Sequence, residues 1–232
     1  MLHRTYYFIE VDKFSIPENG FFTAQQNTLP GSGVDPEPIS SLKLINKDYY
    51  RGWWLLEGIH ETVERKPRRL HGDPEYVNQS ITGGDKPFDV FYIPDEKILL
   101  FRASKHKTKG IIRRLIKYYP NHISYKKGEV DFVKLLDKLQ NSKIIGSWFS
   151  NLKGQVTSVG LFGDRVNLDD KFNYYKAVGT MSALTIEIYI KNQKEPTTIM
   201  ITRERGVVIY DNWNQKEDLD FLMDIKPLLF LK

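Results

Sequence analysis

Residues 64–66 read Glu-Arg-Lys, the E-x-K spacing of metal-dependent nucleases of the restriction type. In that chemistry two carboxylates bind a divalent metal ion and a lysine orients the attacking water. Asp35 and Asp48 precede this tripeptide and are available as the second carboxylate. The pattern belongs on a core strand, whereas Pro67 directly after it indicates a strand that is already ending. A metal-dependent nuclease is therefore one alternative that the sequence leaves open.

Two histidines occur in the pattern H-x-[ST]-x on predicted strands: His60 is followed by Thr62, and His122 by Ser124. In two-histidine phosphoesterases each such histidine acts as acid or base and each hydroxyl binds phosphate. Glu61 stands where that family favours an apolar residue, and the second motif has serine in place of threonine. A phosphoesterase of this kind is the second enzymatic alternative, against histidines with a purely structural role.

Other catalytic and cofactor-binding motifs are missing from the chain. There is no cysteine, which excludes disulfides, thiol nucleophiles and cysteine-ligated metals. The sequence also lacks the common phosphate-binding loops, the H-E-x-x-H motif and the G-x-S-x-G motif. Asp164, Asp169 and Asp170 match no metal-ligand spacing and are interpreted as a turn. We therefore expect no cofactor and no catalytic metal, and binding rather than catalysis.

The positive charge is concentrated in one part of the chain. The net charge is +5, and no acidic residue occurs between Glu96 and Glu129. Ser104 is a candidate N-cap for a helix over residues 104–119. The helical period places these apolar residues on its buried side: Ile111, Ile112, Leu115, Ile116 and Tyr119. The same period predicts an exposed face formed by Arg113, Arg114 and Lys117.

A second basic cluster occupies residues 65–69, where a proline stiffens a loop rich in lysine and arginine. Cations without acidic neighbours suit phosphate contacts, because binding releases condensed counterions. The sequence predicts that nucleic acid, DNA or RNA, is contacted by these residues: Arg65, Lys66, Arg68, Arg69, Lys105, Lys107, Arg113, Arg114, Lys117, Lys126 and Lys127. Two other interpretations stay open, namely a basic helix whose acidic neighbours lie elsewhere in the fold and an acidic protein partner.

The pattern of strands and helices predicts an α+β fold with antiparallel sheets and two or three amphipathic helices. Residues 88–93 and 97–102 form a predicted hairpin, and Asn214 with Glu217 has capping-box spacing for a last helix. Long loops are expected over residues 15–48 and 65–87. A boundary near residue 142 separates a basic α+β half, 1–142, from a neutral strand-rich half, 143–232.

The segment 87–102, its basic helix and the later segments 163–166 and 206–210 resemble the accessory, non-catalytic partner subunits of short prokaryotic Argonautes. That resemblance implies a role in prokaryotic antiviral defence, as one subunit of a heterodimer that helps to hold a guide–target duplex. It assigns no function to any particular residue.

The sequence as a whole predicts a non-catalytic nucleic-acid-binding protein that is a subunit of a larger complex. The alternatives are a phosphodiester-cleaving enzyme and a protein-binding adaptor. The N-terminus has no apolar signal-peptide region, and no apolar run approaches the length of a membrane span. We therefore expect a cytoplasmic protein without a membrane partner.

Overall fold

The computed structural model describes residues 3–25, 38–64, 68–69, 76–77, 80–140, 142–189 and 195–231. The described strands form mostly antiparallel sheets, which, together with the helices, confirms the α+β class. The described part of the chain contains four α-helices: α1 (Lys105–Tyr118), α2 (Phe132–Lys138), α3 (Asp170–Val178) and α4 (Gln215–Leu229). Within these described ranges, no helix has both the length and the apolar character needed to cross a bilayer.

The chain divides into two compact units, Phe8–Lys126 and a second unit of Met1–Tyr7 with Lys127–Lys232. The sequence instead predicts a boundary near residue 142. The difference arises because residues 127–140 belong with the C-terminal part: the Val130 N–H donates to the Arg203 carbonyl, and α2 packs against α4. Strand β1 (Arg4–Phe14) contributes its first residues to one unit and its remainder to the other.

The unit of residues 8–126 is built around a sheet with α1 packed on it. Besides β1, its strands are β2 (Phe21–Ala24), β3 (Ser40–Tyr50), β4 (Trp53–His60), β9 (Phe88–Ile93), β10 (Ile98–Phe101) and β11 (Ile123–Lys126). The order of these strands in the sheet is β11, β1, β10, β9, β4, β3, β2. The predicted hairpin is confirmed as β9–β10, with Ile98 opposite Ile93. All four side chains of β10 are buried.

Two small two-stranded sheets lie between β4 and β9 in the chain. They pair β5 (Thr62–Glu64) with β8 (Ser80–Thr82), and β6 (Arg68–Arg69) with β7 (Tyr76–Val77). The expected loops over 15–48 and 65–87 are therefore wrong in part, because β2 and most of β3 lie in the first and β6, β7 and β8 in the second. Residues 26–37, 65–67, 70–75 and 78–79 lie outside the described part.

The second unit contains the strands β12 (Lys143–Ser150), β13 (Ser158–Phe162), β14 (Thr180–Ile188), β15 (Thr197–Thr202) and β16 (Gly206–Ile209). Together with β1 they form a sheet in the order β13, β12, β14, β15, β16, β1. Leu184, Ile199 and Val207 on its strands are fully buried, as are Leu219 and Leu222 of α4. These residues form the core of the unit.

Helix α3 and its start were not predicted. The sequence suggested a turn around Asp164, Asp169 and Asp170, whereas Asp169 is the N-cap of α3 and its side chain accepts the Lys171 N–H. Helix α4 begins as predicted, with the Asn214 side chain and Glu217 forming a reciprocal capping box.

Candidate nucleic-acid interface

Helix α1 begins and ends within one residue of the prediction. Ser104 is its N-cap, accepting the Thr108 N–H on its carbonyl at 3.0 Å and the Lys107 N–H on its side chain. The Tyr119 N–H closes the last turn on Leu115, and Pro120 follows. Local capping therefore fixes where the helix lies in the chain.

The buried side of α1 consists of Thr108, Ile111, Ile112 and Leu115. Gly110 allows the helix to approach β4 closely, because a methyl group at this position would overlap the His60 ring. This close approach determines which α1 side chains lie against the sheet and which face outward.

The outward side of α1 carries a line of cations at a spacing of four residues. Lys105, Lys109, Arg113 and Lys117 are all exposed, and the helix has no acidic residue. At 1.5 Å per residue the line is about 18 Å long. We call these four residues the cationic ridge. Lys109 was not among the predicted contacts, although its spacing from Lys105 and Arg113 in the sequence carries that signal.

Two members of the ridge bear their charge without an acidic partner in the described part of the chain. Arg113 and Lys117 form no salt bridge with any described acidic side chain, whereas Lys105 and Lys109 have interaction partners of their own. The Lys117 ammonium lies 5.0 Å from the centre of the Tyr118 ring, a contact that leaves the charge available. Arg113 and Lys117 are therefore the strongest candidates for phosphate contact.

Arg114 is not on the exposed face, contrary to the prediction. Its guanidinium donates to the Pro38 carbonyl, to the Ser40 hydroxyl at 3.2 Å and to the Glu61 carbonyl at 3.5 Å. The side chain is half-buried. Arg114 lies one residue before Leu115, at the margin of the buried stripe. Helical period alone cannot show whether a side chain at this position faces solvent or the ends of β3 and β4. Arg114 joins the helix to the sheet.

His60 and Ser40 form a buried pair beside Arg114. The His60 Nδ1 and the Ser40 Oγ are 2.7 Å apart, and only 5% of His60 is exposed. Burial lowers the pKa of His60 to about 4, with further contributions from the positive charges of Arg114, Lys107 and Arg113. The imidazole is therefore neutral at pH 7, and its ring is enclosed by protein.

The second histidine of the phosphoesterase pattern lies elsewhere. His122 contacts the end of β1, with its Nδ1 3.0 Å from the Ser15 carbonyl, and its ring packs on Phe22 and Tyr119. His60 lies under Gly110, so about nine residues of α1, or about 14 Å, separate the helix positions beside the two histidines. The structure does not expose the two rings in one cleft.

The residues of the nuclease pattern are only partly described. Glu64 ends the three-residue strand β5, which is not part of the main sheet, and Asp48 is an exposed residue of β3. Asp35 and Lys66 lie outside the described residues. Over the ranges that the structure describes, no three acidic or histidine side chains are grouped so that they could hold a metal ion.

The other predicted contacts have different environments. Lys107 is half-buried, with its ammonium 5.7 Å from the centre of the Phe88 ring. Lys126 forms a 3.1 Å ion pair with Asp12 of β1, and that carboxylate raises its pKa, whereas Lys127 is exposed. The pairing of β1 with β11 thus gives Lys126 an acidic neighbour from far away in the chain.

Of the basic cluster at 65–69, the structure describes only the backbone of residues 68 and 69. Arg68 and Arg69 pair with Val77 and Tyr76 in β6–β7. Arg65 and Lys66 lie outside the described residues.

The fold and this site define an α+β protein with a cationic helix face, joined to its sheet through the buried Ser40–His60 pair and the half-buried Arg114. No protein-family model matches the chain. No curated protein matches its sequence either.

Proposed function

We propose that the chain is a non-catalytic nucleic-acid-binding protein whose main contact surface is the cationic ridge, and that it acts as a subunit of a larger complex. The observation that carries this proposal is the arrangement of Lys105, Lys109, Arg113 and Lys117 in one exposed line on a helix without acidic residues. Phosphate oxygens of DNA or RNA are the natural partners of such a line.

The ridge has an energetic cost that a ligand would offset. Like charges four residues apart on a helix destabilise it by about 0.2–0.5 kcal/mol per pair. The ridge contains three pairs at this spacing, and in one of them, Arg113/Lys117, neither residue has an acidic partner among the described residues. A bound phosphate backbone neutralises these charges and releases its own counterions, so that binding removes the repulsion.

The position of His60 supports binding over the phosphoesterase alternative. A general base must reach the proton that it abstracts. The His60 ring instead lies between Ser40 and Gly110, and its neighbouring hydroxyl is fully buried. These residues serve the packing of α1, which carries the ridge.

The proposal is tested with the double variant R113E/K117E. We expect its affinity for DNA or RNA of unrelated sequences to fall about equally, because phosphates carry no base identity. The slope of log K against log salt should become shallower by about 0.9 per lost contact on duplex DNA, or about 0.7 on single strands.

The matched control is K134E/K138E, which makes the same change in charge at exposed positions four residues apart on α2. We expect this control to retain most of the parent's affinity and slope. Equal losses in the two variants would show that only net charge matters, and unchanged binding in a folded R113E/K117E would refute the ridge as the contact surface. Arg114 is left intact in both variants because it holds the helix to the sheet.

A further inference from the structure

Strand β13 is paired on one side only. In the described part of the sheet it is the terminal strand, next to β12, and the register places Gly160 opposite Trp148. The Gly163 N–H donates to the Ile145 carbonyl at 3.2 Å. Because backbone groups alternate in direction along an antiparallel strand, Val159 and Leu161 also bond toward β12. The N–H and C=O groups of Ser158, Gly160 and Phe162 therefore point away from the sheet.

In the part of the chain that the structure describes, this edge is open: Ser158, Gly160 and Phe162 are all exposed. Natural edge strands are commonly blocked by charged residues, proline or a covering side chain. β13 reads Ser-Val-Gly-Leu-Phe and contains neither a charge nor a proline. The terminal strand β2 of the sheet in the other unit is covered: Thr23 donates its N–H to the Tyr119 hydroxyl at 3.0 Å, and that hydroxyl donates to the Thr23 carbonyl at 2.9 Å.

Two large apolar side chains at the end of β13 and shortly after it are exposed. Phe162 is 67% exposed and Leu168 is 71% exposed. Both line a cavity of about 630 Å³ at the end of β13. Such a surface beside free strand hydrogen bonds is typical of an interface rather than of a solvated edge.

We propose that β13 pairs with β13 of a second copy of this chain, in an antiparallel register centred on Gly160. Gly160 then lies opposite Gly160 of the second copy, and Ser158 lies opposite Phe162. All three residue pairs use outward-pointing groups, and each exchanges two backbone hydrogen bonds. The interface is isologous, so the two copies form a closed dimer.

The sequence of the strand is self-complementary in this register. The large Phe162 ring meets the small Ser158 directly and Gly160 diagonally, so the two phenyl rings do not collide. Around the cavity the acidic residues Asp164 and Asp169 are balanced by Arg165 and Lys171. Two copies of a neutral surface approach without net repulsion, which favours a second copy over a strongly charged partner.

Helix α3 lies on the same side of the sheet in both copies. Phe149 of β12 packs on Phe172 and Tyr175 of α3, which places the helix on one face beside the edge. A two-fold axis perpendicular to the sheet keeps both helices on that face. The exposed Leu168 and Tyr174 are then available to pack across the axis.

Two variants at the same positions test this register. In S158E/F162E the proposed pairing sets glutamate opposite glutamate twice, whereas in S158K/F162E it sets lysine opposite glutamate twice. We expect the parent and S158K/F162E to sediment at twice the 27.1 kDa chain mass, and S158E/F162E to dissociate at least tenfold more readily. A parent that stays at the chain mass up to millimolar concentration, or two variants that sediment alike, would overturn the proposal.

The absence of cysteine from the chain allows a second, independent test. Hydrogen-bonded residues of antiparallel strands have Cα atoms about 5.5 Å apart, within the range of a disulfide. We expect G160C to oxidise to a covalent dimer, the exposed Phe162 ring shifting to admit the new side chain. V133C, at an exposed position of α2, is the matched control and should remain monomeric. Equal cross-linking of both variants would contradict a specific contact at β13.

Discussion

The His60 imidazole lies directly beneath Gly110, so that a methyl group at position 110 would overlap its Nε2 atom. The other ring nitrogen of His60 pairs with Ser40, which also accepts a hydrogen bond from Arg114. A buried ring on β4 therefore fixes both the distance and the rotation of α1 on the sheet. The exposed position of Arg113 and Lys117 is a consequence of this packing.

Replacing Gly110 with alanine should destabilise the protein in the presence of His60 and stabilise it in its absence. Overpacking against the ring costs about 1–3 kcal/mol. Removing a mid-helix glycine gains about 1 kcal/mol. In the H60A background the overlap is relieved and only the gain remains. Urea unfolding of the four proteins in this double-mutant cycle measures the coupling. The same sign of change in both backgrounds would contradict the contact.

The neutral state of His60 makes stability depend on pH. Its pKa in the folded protein is about 4, below the ordinary value of 6.5. Between these values the unfolded chain binds the proton and the folded protein does not, so acidification favours unfolding. The free energy of unfolding should be fully retained above pH 6.5 and fall toward pH 4 by up to about 1.4 kcal/mol per pH unit.

The comparison that isolates this effect is urea unfolding of the parent and H60Q across that pH range. The positive charges of Arg114, Lys107 and Arg113 also lower the pKa of His60, and these residues are unchanged in both proteins, as are the carboxylates. H60Q should show a shallower loss on acidification. The control variant H106Q removes an exposed histidine from α1 and should lose stability on acidification as the parent does. A parent-like profile in H60Q would refute the assignment.

The ridge predicts that a single variant gains stability while losing affinity. R113E replaces two like-charge pairs, with Lys109 and Lys117, by two attractive ones at the same spacing. At about 0.2–0.5 kcal/mol per pair, the free energy of unfolding should rise by about 1 kcal/mol at low salt, and the gain should shrink at high salt. Nucleic-acid affinity should fall in the same variant.

The neighbouring residue supplies the contrast for this prediction. R114A removes the hydrogen bonds to Pro38, Ser40 and Glu61 and should destabilise the protein by about 1–3 kcal/mol. Circular dichroism during urea unfolding, at two salt concentrations, distinguishes the two residues. If R113E were destabilising or R114A neutral, the orientation described for α1 would be wrong.

Asp218 should be one of the most sensitive positions in the second unit. Its fully buried carboxylate accepts hydrogen bonds from the Arg4 Nε at 2.6 Å, from a second Arg4 nitrogen at 2.7 Å and from the Tyr6 hydroxyl at 2.7 Å. The hydrogen bond to Asp218 raises the pKa of Arg4, so the guanidinium stays charged. D218N leaves that cation without its counter-charge and should cost about 3–5 kcal/mol.

The matched control is D224N, at an exposed position of the same helix α4, which should change stability by less than about 0.5 kcal/mol. Urea unfolding measures both variants. A small effect of D218N would show that the buried pair contributes little beyond its hydrogen bonds.

Features encoded by neighbouring residues were predictable from the sequence. The β9–β10 hairpin, the cap of α1 at Ser104 and the capping box of α4 depend on residues within a few positions of one another. Helix α3 was missed because its exposed side carries apolar residues such as Tyr174 and Val178, which weakens the helical pattern. Strand β3 was missed over much of its length because its outward residues are polar and its pairing with β4 defines it.

The sequence by itself determined the α+β class, the acid-free interval and the existence of a basic helix at 104–119, because alternation, helical period and capping are local properties. Only the tertiary structure decided which cations face solvent. Arg114 finds its carbonyl acceptor 76 positions away at Pro38, and Lys126 finds Asp12 across the β1–β11 pair. Helical period gives the direction in which a side chain leaves the helix axis. Whether that direction leads to solvent depends on the position of the neighbouring sheet, which only long-range packing sets.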